Sequence, residues 1–150
     1  ACVTEHIESV LSMFDRIGVP YTKTPDTLTV HSYEHTLRSS DLRTHEYPGF
    51  VTDLQAPMTV LLTQTQGMSM VHETVFEGRL FYTDTLNRMG ASIVMCDPHR
   101  VLVNGPTALR GKTIESPDIR AGIALVYQSK ISNHLESCHR MRCLIFLSSN

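Results

Sequence analysis

Four short segments of the chain occur twice, in the same order. Phe14-Asp-Arg-Ile-Gly18 is echoed by Leu86-Asn-Arg-Met-Gly90, and Thr27-Leu-Thr-Val30 by Arg100-Val-Leu-Val103. Leu42-Arg43 matches Leu109-Arg110, and Asp53-Leu-Gln-Ala56 matches Asp118-Ile-Arg-Ala121, with offsets between 65 and 73 residues. A repeat of this length is a supersecondary unit, and such a unit seldom buries its apolar face alone. Two α/β units packed against each other are therefore expected, with the second helix of each buried. The small residues Ala56 in one copy and Ala121, Gly122 and Ala124 in the other suit close helix packing.

Hydrophobic spacing fills in the elements. Ile7, Val10, Leu11, Phe14 and Ile17 recur at helical intervals, with Thr4 as candidate N-cap and Gly18 as the stop. Thr27–His31 alternates as a strand does, and Asp41–Thr44 is a shorter candidate. After the turn signal Glu46-Tyr-Pro-Gly-Phe50, the positions Leu54, Met58, Leu61, Leu62 and Thr65 predict a second helix ended by Gly67. Pro57 falls early in it, where it removes one amide donor. A strand over Met68–Thr74, a loop over Val75–Arg79 and a short helix over Tyr82–Met89 follow. Asp97-Pro-His between Ser92–Cys96 and Arg100–Val103 is hairpin chemistry. Lys112–Glu115 reads as a strand, and Ser116-Pro117-Asp118 opens a helix with Ile119, Ile123, Val126 and Tyr127 on its apolar face.

Charge and cysteine usage exclude several classes. A net charge of -2 over 150 residues argues against a large basic surface for nucleic acid. The longest apolar runs, such as Cys143-Leu-Ile-Phe-Leu147, fall far short of the roughly 20 residues of a membrane helix. Cys2, Cys96, Cys138 and Cys143 are too scattered for a disulfide framework, so reduced thiols and a cytoplasmic setting are expected. No signal peptide is visible, and the chain opens without Met directly into a helical pattern, which suggests a fragment of something longer. His134, Cys138, His139 and Cys143 lack the two tight ligand pairs of a structural zinc site. His31 and His35 lie in strand and loop, where a spacing of four does not put them on one face. No metal or cofactor is expected.

Three segments have the texture of a site. In Tyr47-Pro-Gly-Phe-Val-Thr-Asp-Leu-Gln-Ala56 a rigid turn delivers Asp53 to a helix start. There it serves either as a plain helix-terminal acid or as a carboxylate held in place for proton transfer. In His72-Glu-Thr-Val-Phe-Glu-Gly-Arg79 a strand end runs into a mixed-charge loop. Arg79 either faces a ligand or makes a surface pair with Glu77. In Ser116-Pro-Asp-Ile-Arg-Ala121 the first helical turn carries Arg120, which is either solvated or able to fork onto a carboxylate or phosphate.

Pro48-Gly-Phe-Val-Thr-Asp-Leu-Gln-Ala56, Glu73-Thr-Val-Phe-Glu-Gly-Arg79, Leu86-Asn-Arg-Met-Gly-Ala91 and Pro117-Asp-Ile-Arg-Ala-Gly122 stand in order and register. Together they resemble the UDP-N-acetylglucosamine enolpyruvyl transferases over roughly residues 1–128. The resemblance implies a fold of repeated βαβαββ units with buried helices, the inside-out barrel of the EPSP synthase type. About two units would be present, near 1–66 and 67–128, followed by a divergent tail at 129–150. It implies transfer of the enolpyruvyl group from phosphoenolpyruvate to the 3-hydroxyl of UDP-N-acetylglucosamine with loss of phosphate, the first committed step toward peptidoglycan. By position, Asp53 matches the general base that contacts the sugar hydroxyl. Val75 matches the residue whose backbone contacts the UDP-sugar, and Arg79 and Arg120 match arginines facing phosphoenolpyruvate. An alcohol needs a base to become a nucleophile, and the charges of the second substrate call for fixed cations.

The resemblance also implies what is missing. This chain would supply about a third of a family member, the C-terminal-half part, without the cysteine loop and the N-terminal lysine that binds phosphoenolpyruvate. Its partner would then be the missing half of the enzyme. Val51 and Pro57 replace a Pro and a Gln usual in the Asp53 motif. The tail from Ser129 has no counterpart, as a truncated or frame-shifted coding sequence would produce. Two other readings are a non-catalytic α/β module that at most binds a UDP-sugar, and the related transferase acting on shikimate phosphate. The Pro-Gly-Phe-x-Thr-Asp-Leu-Gln stretch resembles the UDP-sugar branch more.

Overall fold

The structure, a computed structural model, describes residues 3–32 and 35–110. The expected strand at 112–115, the helix opened by Ser116, Arg120, the tail and three of the cysteines lie outside the described residues.

The first helix, α1, spans Glu8–Ile17 and buries Leu11, Met13, Phe14 and Ile17. Thr4 is not its cap. It begins a separate 3-10 turn, Thr4–Ile7, and its hydroxyl donates to the Thr24 carbonyl at 3.1 Å, tying the chain start to the following hairpin. Gly18 ends α1 at φ +90°, a conformation that costs a residue with a Cβ. Strands β1 (Tyr21–Lys23) and β2 (Leu28–Val30) then pair antiparallel, Tyr21 opposite Val30. Three residues with only Tyr21 half-buried carry no alternation, which is why β1 is invisible in the sequence.

Strand β3 (Leu42–Arg43) leads through a 3-10 turn, Thr52–Leu54, into helix α2 (Gln55–Leu62). As expected, α2 is buried, through Gln55, Ala56, Met58, Thr59 and Leu62. Pro57 is its third residue, where the missing N–H has no intrahelical partner to lose. Gly67 does not stop this helix. The helix ends at Leu62, and Gly67 opens strand β4 (Gly67–His72) at φ +109°, where a Cβ would meet Ser39 Oγ at 2.7 Å. Helix α3 (Tyr82–Arg88) and the hairpin of β5 (Ser92–Asp97) and β6 (Arg100–Gly105) complete the described elements.

The four-stranded sheet has the order β3-β4-β6-β5. β3 runs parallel to β4, while β6 is antiparallel to both β4 and β5. One contiguous core holds Phe14 and Ile17 of α1, Leu62 of α2, Val71 of β4, Leu86 of α3, and Val101 and Val103 of β6. Among the described residues, elements from the first copy (α1, α2) and from the second (α3, β6) therefore contribute to one interior.

The repeat is visible at atomic detail, with one correction. Each copy has a helix ended by a positive-φ glycine and followed by a hairpin. After each hairpin the chain returns to the helix end. The Arg38 amide donates to the Ile17 carbonyl at 2.9 Å, and the Arg110 amide to the Met89 carbonyl at 2.7 Å. The counterpart of Leu109-Arg110 is therefore Leu37-Arg38, not Leu42-Arg43. Leu37, Leu42 and Leu109 are all buried, but Leu42 sits in β3 in parallel pairing with Val71 and does not follow a hairpin back to a helix end.

Candidate active site

The site is assembled where β3 and β4 end side by side. Beyond β3 the chain makes a tight turn. His45 N–H meets the Phe50 carbonyl at 2.9 Å, and Gly49 N–H the Glu46 carbonyl at 2.7 Å. Gly49 is needed for closeness, since a Cβ there would lie 2.5 Å from His45 Cβ. Phe50 is buried and anchors the turn. Val51 is extended, and the 3-10 turn Thr52–Leu54 then lifts Asp53 to the surface with its side chain 59% exposed.

Beyond β4 the strand's period of two continues. Ser69 and Val71 point inward, and so does Glu73, which is fully buried. Its carboxylate is satisfied by four donors. Thr44 Oγ1 (2.9 Å), Val75 N–H (2.9 Å) and Phe76 N–H (3.2 Å) bond to Oε1, and Thr52 Oγ1 (2.7 Å) bonds to Oε2. A buried carboxylate is tolerable on those terms, and here it pins two segments that sequence separates by about twenty residues. The Asp97-Pro-His turn braces the same point: Glu73 N–H donates to the His99 carbonyl at 2.8 Å, and His99 Nδ1 lies 3.0 Å from the Glu73 carbonyl.

The anchored loop aims Arg79. Its Nη1 donates to Thr52 Oγ1 at 2.9 Å and to Asp53 Oδ1 at 3.1 Å. Its guanidinium carbon lies 4.1 Å from the centre of the Phe76 ring, which holds the plane of the group by cation–π attraction. The expected surface pair with Glu77 does not form; Glu77 instead faces His99 Nε2 at 3.9 Å. Asp53 is likewise more than a helix-terminal acid, since it is one end of an ion pair reaching 26 residues along the chain. As a stabilising contact between part-exposed groups that pair is worth about 0–1 kcal/mol, so its geometry matters more than its energy.

Of the expected site residues, Asp53 and Arg79 are brought together and Val75 lies in the same loop. Arg120 lies outside the described residues. The sequence reading missed Glu73, Thr52, Thr44 and Phe76 as parts of the site. The inward alternation of Ser69, Val71 and Glu73 is the signal that finds the buried acid. A shallow depression of about 190 Å³ lined by Glu8, Leu11, Ser12, Asp15, Tyr21 and Lys23 shares no residue with this cluster. It is also smaller than the usual small-molecule site. Among the described residues no group of three or more His, Cys, Asp or Glu side chains is placed to hold a metal ion. None of the described helices is long and apolar enough to cross a membrane.

The model of the EPSP synthase (3-phosphoshikimate 1-carboxyvinyltransferase) family matches residues 2–137. The chain belongs to that family. Among its relatives is a UDP-N-acetylglucosamine 1-carboxyvinyltransferase of Treponema pallidum. It is 52% identical over 80 residues, covering 53% of this chain and 19% of that protein. The protein of the same name from Bradyrhizobium diazoefficiens is 40% identical over 130 residues, covering 81% of this chain and 30% of the relative. The crystal structure of the enolpyruvyl transferase NikO from Streptomyces tendae superposes with a TM-score of 0.72 at 22% identity, over 82% of this chain and 28% of that one. The EPSP synthase-like α/β fold is thereby shown. The chain spans about a fifth to a third of the family members it matches.

Proposed function

We propose that this chain forms part of a UDP-N-acetylglucosamine 1-carboxyvinyltransferase and carries one wall of its reaction cleft. The observation that carries the reading is the exposed Asp53 carboxylate, held at a fixed place beside the Arg79 guanidinium. It is supported by relatives that bear that enzyme's name. Asp53 takes the proton of the sugar 3-hydroxyl as its oxygen bonds to C2 of phosphoenolpyruvate, while the electron pair of the double bond takes a proton from solvent at C3 to give a tetrahedral adduct with a methyl group. The adduct then loses phosphate from C2 and a proton from that methyl group, which restores the double bond as the enolpyruvyl ether. Arg79, at the side of Asp53, offers its remaining N–H groups to the phosphate or carboxylate of phosphoenolpyruvate, and Arg120 is proposed as a second such cation. Val75 would meet the UDP-sugar through its carbonyl, because its N–H is engaged by Glu73.

The reaction needs no cofactor. The proposal places the enzyme in the cytoplasm, in keeping with scattered cysteines, at the first committed step toward peptidoglycan. Residues 1–66 and 67–128 are proposed as two repeat units, and the family match runs past them to residue 137, so the divergent tail proposed from 129 is set back to the residues beyond that point. The cysteine loop and phosphoenolpyruvate lysine that complete the cleft are proposed to come from the rest of the enzyme. The second reading is a module that binds the UDP-sugar without turning it over.

Calorimetry with UDP-N-acetylglucosamine, followed by a phosphate-release assay with phosphoenolpyruvate, separates these readings. Weak sugar-nucleotide binding without phosphate release is the result expected for the chain alone. Robust phosphate release from it would overturn the half-site reading. No binding of UDP-N-acetylglucosamine, alone or with the missing half supplied, would overturn the substrate assignment.

A further inference from the structure

We infer that Glu73 is a positioning residue whose charge is relayed through the Thr52 hydroxyl to fix the Arg79 guanidinium beside Asp53. The inference rests on the reading of Asp53 and Arg79 as substrate-facing groups for its functional meaning, though not for its geometry.

The relay follows from donor counting. A threonine hydroxyl has one proton and two lone pairs. Glu73 is buried and accepts from all four of its partners, so the Thr52 proton points at Glu73 Oε2, 2.7 Å away. The lone pairs of Thr52 are then left for Arg79 Nη1 at 2.9 Å. A hydroxyl that donates to a carboxylate is polarised and becomes a better acceptor. Arg79 therefore feels two carboxylates through one nitrogen: Asp53 directly at 3.1 Å, and Glu73 at one remove.

The arrangement has a use that a direct pair lacks. A carboxylate that takes a proton from substrate must let its cation go, and Arg79 would otherwise drift once Asp53 changed partner. The buried second carboxylate keeps one hydrogen bond on Arg79 at that moment. The backbone bonds from Val75 and Phe76 to the same Glu73 set the start of the loop that carries Arg79, so loop and guanidinium are indexed to one group.

The test reads the guanidinium itself. With the 150-residue chain labelled with ¹⁵N-arginine and no substrate present, the rotation rate of the Arg79 Nη groups is measured by NMR. Glu73→Gln keeps shape and removes charge; Thr52→Val removes the relay; Thr52→Ser restores it. Both disabling variants should speed rotation roughly fivefold, the factor implied by loss of one ordinary net hydrogen bond. The double variant should be no faster than the faster single one, because both break the same chain. Thr52→Ser should match the parent. Unchanged rotation in Thr52→Val, or effects that multiply in the double variant, overturns the relay. Should Glu73→Gln fail to fold, Glu73→Asp takes its place: it keeps the charge but draws it back from Thr52, and it too should speed rotation, while unchanged rotation in whichever Glu73 variant folds overturns the relay. Failure to bind UDP-N-acetylglucosamine, both alone and with the missing half supplied, sinks the proposed function and leaves this result standing; binding together with unchanged rotation in Thr52→Val sinks the relay alone.

Discussion

Gly18 and Gly90 occupy the same place in the two copies of the repeat, and replacing each by alanine should cost different amounts. Both end a helix at positive φ, +90° and +105°. Forcing an L side chain into that region costs about 1–2 kcal/mol at either site. The neighbours differ. Among the described residues, a Cβ on Gly18 would meet His35 Nε2 at 3.6 Å, an ordinary van der Waals contact with a side chain rather than backbone. A Cβ on Gly90 would lie 2.8 Å from the Ala108 carbonyl oxygen, with Leu109 Cα at 4.0 Å. That backbone is held in place, because the next amide, of Arg110, donates to the Met89 carbonyl at 2.7 Å. Overpacking against fixed backbone adds about 1–3 kcal/mol. Gly18→Ala should therefore lose about 1–2 kcal/mol and Gly90→Ala about 2–5 kcal/mol, a large share of a domain's usual ~5–15 kcal/mol. Urea unfolding checks this through the midpoint, at unchanged slope. Equal losses at the two sites would refute the steric half of the reasoning, and a neutral Gly18→Ala would refute the conformational half.

Other outcomes are open to measurement. In the complete enzyme, Asp53→Ala should lower kcat by roughly 10²-fold or more, as loss of a positioned base does, with little change in stability since the side chain is exposed. Near-normal turnover would remove it as the base. The Asp97 carboxyl is held below its ordinary 3.8 by the hydrogen bond from Arg100, with a further contribution from the His99 amide. A depressed value in the fold means the interaction stabilises above the unfolded pKa and is lost as pH falls through the folded one. An NMR titration of the Asp97 carboxyl carbon should thus show a midpoint below 3.8, rising in Arg100→Ala; a midpoint at or above 3.8 in the parent contradicts the geometry.

Much of the local structure was legible because it depends on spacing. Helix α1 follows from apolar residues at helical intervals closed by a glycine, and the β5–β6 hairpin from Asp97-Pro-His between alternating strands. β1 escaped because three residues with one half-buried side chain hold no period. Gly67 misled because a glycine after an apolar run reads equally as a helix end or a strand start, and only the approach of Ser39 decides. The repeat is legible in its helix ends, while Leu42-Arg43 resembles Leu109-Arg110 in residue type alone and it is Leu37-Arg38 that shares the return of the chain to the helix end.

Spacing and composition along the chain say which groups are available: a carboxylate after a Pro-Gly turn, an arginine after a strand, and apolar faces on helices and strands that need covering. Which carboxylate the arginine meets was decided by tertiary structure alone. Glu77 is two residues from Arg79 and Asp53 is 26 away, yet the pair forms with Asp53. The parallel pairing of β3 with β4 brings their ends together, and a buried acid then joins the two segments that leave them. Periodicity is a property of neighbours along the chain; an encounter across a parallel crossover depends on how the sheet assembles, which no local spacing encodes.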